Sequence, residues 1–194
     1  MASRPGPDLQ QFIAGVAREL ASRGIPFMLI GGQAVLVHGR PRFTEDIDIT
    51  LGAAPDQWRV IRDVCATLRL APLPEHLEAF VRETYVLPAR HDETGLRVDF
   101  IFSTTPYERQ AIDRAKPIDV AGVPVPFATA EDLIIHKLFA GRPRDVEDAV
   151  GVVHRSGAGL DWTYIERWVA EFAQLQGRED LPRQLAELRR QGLP

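Results

Sequence analysis

The stretch Leu29–Ile49, LIGGQAVLVHGRPRFTEDIDI, contains the main determinants of the fold. An apolar strand runs into the pair Gly31-Gly32, a short helix follows, and a second strand carries Asp46 and Asp48. Side chains alternate between the two faces of a strand, so these aspartates point the same way, with Cα atoms roughly 6–7 Å apart. Such a pair can supply oxygen ligands to hard divalent cations.

The two glycines suit this part of the chain to binding phosphate. Without a Cβ atom, glycine lets the backbone approach a phosphate chain closely, and the free amides of the following helix point toward it. A phosphate site beside paired carboxylates is the combination that metal-dependent nucleotidyl transfer requires. Both features lie within one unit of strand, helix and strand.

The same stretch resembles a known family. Gly31-Gly32, followed by the sequence DID at 46–48, is similar to the signature of the polymerase-β-like nucleotidyltransferases. The longer pattern GxxRxTxDxD, which begins at Gly39, resembles two smaller groups. These are the AbiE-type toxins with related bacterial nucleotidyltransferases, and the small antibiotic nucleotidyltransferases that act on lincosamides and aminoglycosides. The resemblance covers about residues 26–150 and implies transfer of a nucleoside monophosphate from an NTP such as ATP. It also implies two Mg²⁺ ions, with Mn²⁺ as an alternative.

A third carboxylate is expected from the strand LRVDFIF at 96–102. Asp99 lies there among apolar residues, where a carboxylate is costly unless it is paired or bound to metal. Relatives have a third aspartate on a neighbouring strand, so Asp99 would join Asp46 and Asp48 if the two strands pair. The alternative is an exposed aspartate balanced by Arg97. In the two-metal pattern, Asp48 and Asp99 hold the ion on the hydroxyl side. Asp46 and Asp48 hold the ion that bridges the triphosphate, and Asp99 is the candidate general base.

A second group of candidates lies in Thr129–Asp148, where Thr129 is predicted to cap a helix. This segment resembles the AbiE-type pattern of an acidic-Leu segment, a Lys-Leu pair and an Arg-Asp-x-x-Asp segment, in which the lysine and the first aspartate belong to the active site. The matching positions are Lys137 and Asp145, and we expect Asp145 to orient Lys137 toward the triphosphate. Asp148 is predicted to point further outward and to matter less. The predicted apolar stripe of its helix comprises Val146, Ala149, Val150 and Val153.

Arginines near both motifs are candidates for a basic groove, the alternative being a solvated arginine face. They are Arg40, Arg42, Arg142 and Arg144. The predicted nucleotide-binding residues are Gly31, Gly32, Arg42, Thr44, Lys137 and Arg142. The predicted catalytic residues are Asp46, Asp48, Asp99, Lys137 and Asp145, of which the first three are the predicted metal ligands.

The pattern along the chain predicts an α+β fold with a mixed sheet. Residues 1–127 form the predicted nucleotidyltransferase core, and 128–194 form a helical region that completes the active-site cleft. The predicted strands are 26–30, 47–51, 78–88 and 96–102, with a short ribbon over 118–125. The predicted helices are 8–23, 33–38, 56–70 and 106–114, followed by helices from residue 129 onward.

Composition excludes several other classes of protein. The single cysteine, Cys65, rules out an internal disulfide and a cysteine metal cluster. The net charge of −4 argues against general coating of nucleic acid, although it allows a local basic groove. Neither a signal peptide nor a membrane-spanning segment is evident, so we expect a cytoplasmic protein with no membrane partner.

Three functions are compatible with these residues. The leading interpretation is a toxin-type enzyme of a toxin–antitoxin or phage-defence pair, which acts on a hydroxyl acceptor such as an RNA 3′ end. A cognate antitoxin protein is then a candidate partner. The first alternative is an antibiotic nucleotidyltransferase with a small-molecule acceptor. The second is a non-catalytic scaffold that binds a nucleotide or a partner, which the three carboxylates disfavour because clustering them costs repulsion.

Overall fold

The computed structural model of the chain describes residues 9–40, 44 and 46–192. These residues divide into two compact units. The first unit contains the described residues up to Ile30 and those from Thr44 to Phe127. The second contains the described residues from Gly31 to Arg40 and those from Ala128 onward.

The first unit is built on a mixed seven-stranded sheet in the order β3-β4-β5-β2-β1-β7-β6. Its strands are β1 (Phe27–Leu29), β2 (Ile47–Leu51), β3 (Leu70–Pro72), β4 (Val86–His91), β5 (Arg97–Phe102), β6 (Lys116–Val120) and β7 (Val123–Phe127). The pairs β2–β5 and β1–β7 are parallel, and the other neighbouring pairs are antiparallel. The predicted α+β class with a mixed sheet is confirmed.

Helices of the first unit accompany this sheet. They are α1 (Leu9–Ser22), α3 (Trp58–Thr67), α4 (Leu77–Thr84) and α5 (Pro106–Arg114). Helix α1 buries one apolar face that includes Phe12, Val16 and Leu20, as its spacing predicts. It ends before Gly24, which adopts a positive φ of 66°. Helix α5 has the predicted bounds, and its N-cap Thr105 forms a capping box with Glu108.

The predicted strand over 78–88 is wrong in its first half. Residues Leu77–Thr84 form α4, and Val81 is the one buried residue in this fully described helix. The helix ends at Tyr85, which adopts the left-handed conformation with φ 58°, and β4 starts at the next residue. The β-favouring residue types around Phe80 suggested a strand, although the chain is helical there. The predicted helix over 56–70 is also too long, because Leu70 already belongs to β3.

The second unit consists of helices in the described part of the chain. They are α2 (Gly31–His38), α6 (Ala130–Ala140), α7 (Pro143–Ser156), α8 (Trp162–Phe172) and α9 (Leu181–Gly192). Helix α6 packs against α2, α7, α8 and α9. Its central residues Leu133, Ile134 and Ile135 are therefore all buried, although they point in different directions around the helix.

Helix α2 begins two residues earlier than predicted, at the first of the two glycines. Gly31 has a positive φ of 60°, a conformation that residues with a Cβ atom rarely adopt. At the other end, a Cβ atom on Gly39 would lie 3.2 Å from Cγ2 of Val152 in α7, so α2 and α7 approach closely there. None of the helices in the described ranges is long and apolar enough to cross a membrane.

Candidate active site

Strand pairing in the first unit brings two of the predicted carboxylates together. Parallel strands β2 and β5 are in a register that pairs Asp48 with Asp99. Asp46 is exposed and lies directly before β2, two residues from Asp48. The pairing on which the prediction of a third carboxylate depended is therefore observed.

The alternation of these two strands decides which face carries the carboxylates. Ile47, Ile49, Val98 and Phe100 are completely buried. The aspartates between them are half-buried and belong to the opposite face of the sheet. Burial of the apolar face thus fixes the register, because a slip of one residue would bury carboxylates and expose apolar side chains.

Asp99 forms a bidentate ion pair with Arg97 of its own strand. Arg97 Nε donates to Asp99 Oδ1 at 2.9 Å, and Nη2 of the same guanidinium group donates to Oδ2 at 3.0 Å. This hydrogen bonding raises the pKa of Arg97 above its usual value. Partial burial opposes the rise, and the negative charges of Asp99, Asp46 and Asp48 add to it. Arg97 thus lies within the field of all three carboxylates, so the balancing role that the sequence offered as an alternative for Asp99 is also observed.

The donor chemistry of this cluster fits Mg²⁺ or Mn²⁺, which prefer carboxylate oxygens. Yet no group of three or more His, Cys, Asp or Glu side chains within residues 9–40, 44 and 46–192 has an arrangement that could hold a metal ion. Both oxygens of Asp99 accept hydrogen bonds from Arg97.

The second unit brings Lys137 and Asp145 together, as predicted. Lys137 Nζ in α6 donates to Asp145 Oδ1 in α7 at 2.7 Å. It also lies 2.9 Å from Oδ2 of Asp148. All three residues are buried, with relative exposures of 7%, 8% and 7% for Lys137, Asp145 and Asp148. Asp145 Oδ2 is buried and accepts no hydrogen bond from the residues that the structure describes.

The prediction that Asp148 points outward is wrong. The buried residues of α7 include Asp145, Asp148, Ala149 and Val152, which share one helical face, whereas Val146 is 36% exposed. The predicted stripe was rotated from the true buried face because it counted only apolar residues. The lysine of α6 provides the positive charge that allows two carboxylates to be buried here.

The helix that carries Lys137 is fixed at its start by buried hydrogen bonds. Thr129 is the N-cap of α6, as predicted, and accepts a hydrogen bond from the Asp132 amide. Its hydroxyl also donates to Asp132 Oδ2 at 2.7 Å, and the Tyr164 hydroxyl of α8 donates to Oδ1 at 2.7 Å. Asp132 is completely buried. Sequence analysis identified the cap but not the tyrosine, which is distant in sequence.

The remaining predicted nucleotide-binding residues are dispersed in the chain. Gly31 and Gly32 are the first two residues of α2 in the second unit. Thr44 is half-buried in the first unit, and Arg142 is exposed at the N-cap position of α7. Arg42 lies outside the described residues.

Three solved structures with a similar fold are nucleotidyltransferases or a nucleotidyltransferase-like protein. The antibiotic-resistance factor ANT(2'')-Ia matches with a TM-score of 0.61 at 16% identity, covering 88% of this chain and 96% of that one. An antigenic nucleotidyltransferase-like protein from Paracoccidioides brasiliensis matches with a TM-score of 0.54 at 16% identity, covering 93% of each chain. Lincomycin-bound LnuA, a lincosamide antibiotic adenylyltransferase, has a TM-score of 0.51 at 12% identity, covering 73% and 94%.

These likenesses define the fold as that of the nucleotidyltransferases. A comparison with curated proteins gives no sequence match. The family model of the nucleotidyl transferase AbiEii toxin, type IV toxin–antitoxin system, matches residues 16–149. The chain belongs to this AbiEii family and is a nucleotidyltransferase enzyme. The matched range includes Asp46, Asp48, Asp99, Lys137 and Asp145.

Proposed function

We propose that the protein transfers a nucleoside monophosphate from an NTP to a hydroxyl group in a reaction that depends on divalent metal. The observation that carries the proposal is the register pairing of Asp48 with Asp99, with Asp46 two residues from Asp48. Membership of a nucleotidyltransferase family supports the type of reaction. The oxygen-only donor set favours Mg²⁺ or Mn²⁺ over softer metals.

In the proposed reaction, the acceptor hydroxyl oxygen attacks the α-phosphorus of the NTP. The bond from that phosphorus to the oxygen of the β-phosphate breaks, and pyrophosphate leaves. Two divalent ions, when bound by Asp46, Asp48 and Asp99, supply activation of the hydroxyl and stabilisation of the leaving group. Asp99 is the proposed acceptor of the hydroxyl proton.

Lys137 is the proposed partner of the triphosphate. An ammonium group suits this task because it is a compact charge that attracts phosphate oxygens. Asp145 and Asp148 would hold Lys137 in one orientation, since each lies within 3 Å of Nζ. Gly31, Gly32, Arg42, Thr44 and Arg142 remain proposed nucleotide-binding residues.

The proposed biological role is that of a toxin, paired with an antitoxin protein and directed at RNA 3′ ends. The family description as a toxin of a type IV toxin–antitoxin system supports this role. The proteins named for antibiotics have only 12–16% identity to this chain, so their acceptors do not transfer to it.

Incubation of the purified protein with each α-labelled NTP and Mg²⁺ tests the acceptor. Parallel reactions should contain total RNA, total protein, or a mixture of lincosamides and aminoglycosides. We expect label in RNA, at 3′ ends, so that prior oxidation of the terminal ribose with periodate abolishes labelling. Label in a drug instead would support an antibiotic transferase and contradict the toxin proposal. Absence of label in every mixture, with no binding of metal, would support a non-catalytic scaffold.

A further inference from the structure

Arg97 has no part in the reaction described above, yet it engages the carboxylate that would be the general base. The guanidinium group donates two hydrogen bonds to Asp99, one to each oxygen. Both residues belong to β5, two positions apart, so their side chains lie on the same face of the sheet. A divalent cation bound by Asp99 would need at least one of the same oxygens.

We propose that Arg97 is a built-in counter-ion, which holds Asp99 in the metal-free enzyme and must release it before a divalent cation binds. This inference rests on the proposed function, because it takes Asp46, Asp48 and Asp99 as the metal ligands. The guanidinium group and the metal ion then compete for one carboxylate. Arg97 therefore lowers the metal affinity of the enzyme and preserves the cluster when metal is absent.

The geometry distinguishes this arrangement from an ordinary surface ion pair. A bidentate pair between arginine and a carboxylate fixes the orientation of both groups, whereas a single contact does not. The Asp99 side chain is 20% exposed and that of Arg97 is 42% exposed, so the carboxylate is the more sheltered partner of a pair that solvent partly screens. The field of Asp46 and Asp48 also acts on Arg97. The arginine thus offsets repulsion within the cluster as well as pairing with one member of it.

Arg90 provides a matched control for this inference. It lies directly opposite Arg97 in the β4–β5 register and carries the same charge on the same face of the sheet. Its side chain donates to the Gly95 carbonyl oxygen at 3.1 Å instead of a carboxylate. Removing Arg90 therefore changes the local charge by the same amount, while the Asp99 pair stays in place.

The test is binding of Mn²⁺, followed by electron paramagnetic resonance, to the wild type and to the Arg97→Met and Arg90→Met variants. We expect Arg97→Met to bind Mn²⁺ about tenfold more tightly, as expected from loss of a competing charge-assisted interaction. Arg90→Met should change the affinity by less than about twofold, because Arg90 is exposed, its charge is screened by solvent, and its side chain donates to a carbonyl oxygen. If Arg97→Met does not fold, Arg97→Lys serves instead, since lysine cannot form the bidentate pair.

A second measurement uses the unmodified protein. The NMR signal of the Arg97 Nε–H group, assigned with Arg97→Lys, reports the hydrogen bond to Asp99. Saturating Mg²⁺ should shift this signal and speed its exchange with water. An unchanged signal at saturating Mg²⁺ would overturn the inference.

The outcomes separate this inference from the proposed function. Equal Mn²⁺ affinity in Arg97→Met and the wild type would overturn the role of Arg97. If Asp48→Asn still abolished Mn²⁺ binding in that case, the metal site itself would stand. Equal tightening in Arg97→Met and Arg90→Met would also overturn the inference, because general charge would then explain both. No binding of Mn²⁺ by any form would contradict both the inference and the proposed metal site.

Discussion

Lys137 illustrates at the residue scale how a buried charge is tolerated. The lysine is 7% exposed, and two carboxylates of the neighbouring helix lie within 3 Å of its ammonium group. Sequence analysis predicted Asp145 as a partner because a family pattern pointed to it. It missed Asp148 because a single helix viewed alone does not reveal which charges the neighbouring helix supplies. The contact lies between α6 and α7, which are adjacent in the chain.

Replacing Lys137 by methionine should destabilise the protein. The variant keeps the length of the side chain but leaves Asp145 and Asp148 buried without their cation. We expect the free energy of unfolding, measured by urea denaturation at neutral pH, to fall by about 3 kcal/mol. The triple variant Lys137→Met, Asp145→Asn, Asp148→Asn removes the whole network and should recover much of this loss. A single variant as stable as the wild type would mean that the carboxylates do not depend on Lys137.

Asp148 should contribute to activity, although the sequence predicted that it points outward and matters less. We expect Asp148→Asn to lower kcat/KM for the NTP by about tenfold or more, because a differently held Lys137 stabilises the transition state less well. Glu147→Gln is the matched control, since Glu147 is the exposed neighbour on the same helix. If the two variants behaved alike in steady-state kinetics, Asp145 alone would be sufficient to orient the lysine.

At the scale of elements, the sequence predicted most of the strands and helices and missed α4 and β3. Strand β2 and helix α5 have the predicted bounds. Helix α4 has eight residues. The prediction of a strand there gave more weight to its β-branched and aromatic residues than to their helical spacing. Strand β3 has three residues, too few to produce an alternating pattern. Long-range pairing with β4 stabilises it, and local propensity does not reveal such pairing.

The start of α2 gives a prediction about the glycine pair. Gly31 has a φ of 60°, so Gly31→Ala should lower the free energy of unfolding by roughly 1 kcal/mol. If the start of this helix binds phosphate, the variant should also raise KM for the NTP. Gly122→Ala is the matched control, since Gly122 has a φ of 79° and free space around its Cα atom in the turn between β6 and β7. An equal loss of stability with unchanged KM in both variants would make Gly31 a turn residue only.

The other end of α2 gives a prediction about pH. His38 Nε2 lies 2.8 Å from the carbonyl oxygen of Ala128, just before α6. Burial lowers the pKa of His38 below 6.5, although the hydrogen bond to Ala128 opposes this effect. The unfolded chain therefore binds the proton more tightly, so stability is full above pH 6.5 and falls as the pH drops through the lowered pKa. Between pH 7.5 and 5.5, unfolding free energies of His38→Gln should fall less than those of the wild type. An equal fall in both proteins would remove His38 from the pH dependence.

At the scale of the whole molecule, the predicted site residues are divided between the two compact units, and the first motif is itself divided. The carboxylates lie in the first unit, whereas the glycine pair, Lys137 and Asp145 lie in the second. The chain passes from the first unit to the second after Ile30, one residue beyond the end of β1. The stretch Leu29–Ile49 is therefore divided between the two units. Sequence order predicted a boundary near residue 127, and the assignment of residues after Ile30 to the second unit was not evident from the pattern.

The fold is shared with proteins of low sequence identity, so the chemistry depends on a few side chains rather than on the overall architecture. We propose that Asp48 belongs to a carboxylate cluster that supports metal-dependent transfer. Asp48 is the candidate that pairs in register with Asp99 and lies two residues from Asp46. Its substitution therefore affects the whole cluster.

The most direct test measures transfer of label from an α-labelled NTP to RNA by the wild type, Asp48→Asn and Asp92→Asn, with Mg²⁺ and with EDTA. Asp92 is an exposed aspartate in the turn between β4 and β5 and serves as the control. We predict that EDTA abolishes transfer and that Asp48→Asn loses roughly two orders of magnitude or more in rate. Asp48→Asn should stay folded, with an unchanged or higher Tm without metal, because repulsion between carboxylates is relieved. The control Asp92→Asn should behave as the wild type. Transfer by Asp48→Asn at the wild-type rate, or transfer undiminished by EDTA, would contradict metal-dependent transfer at this carboxylate cluster.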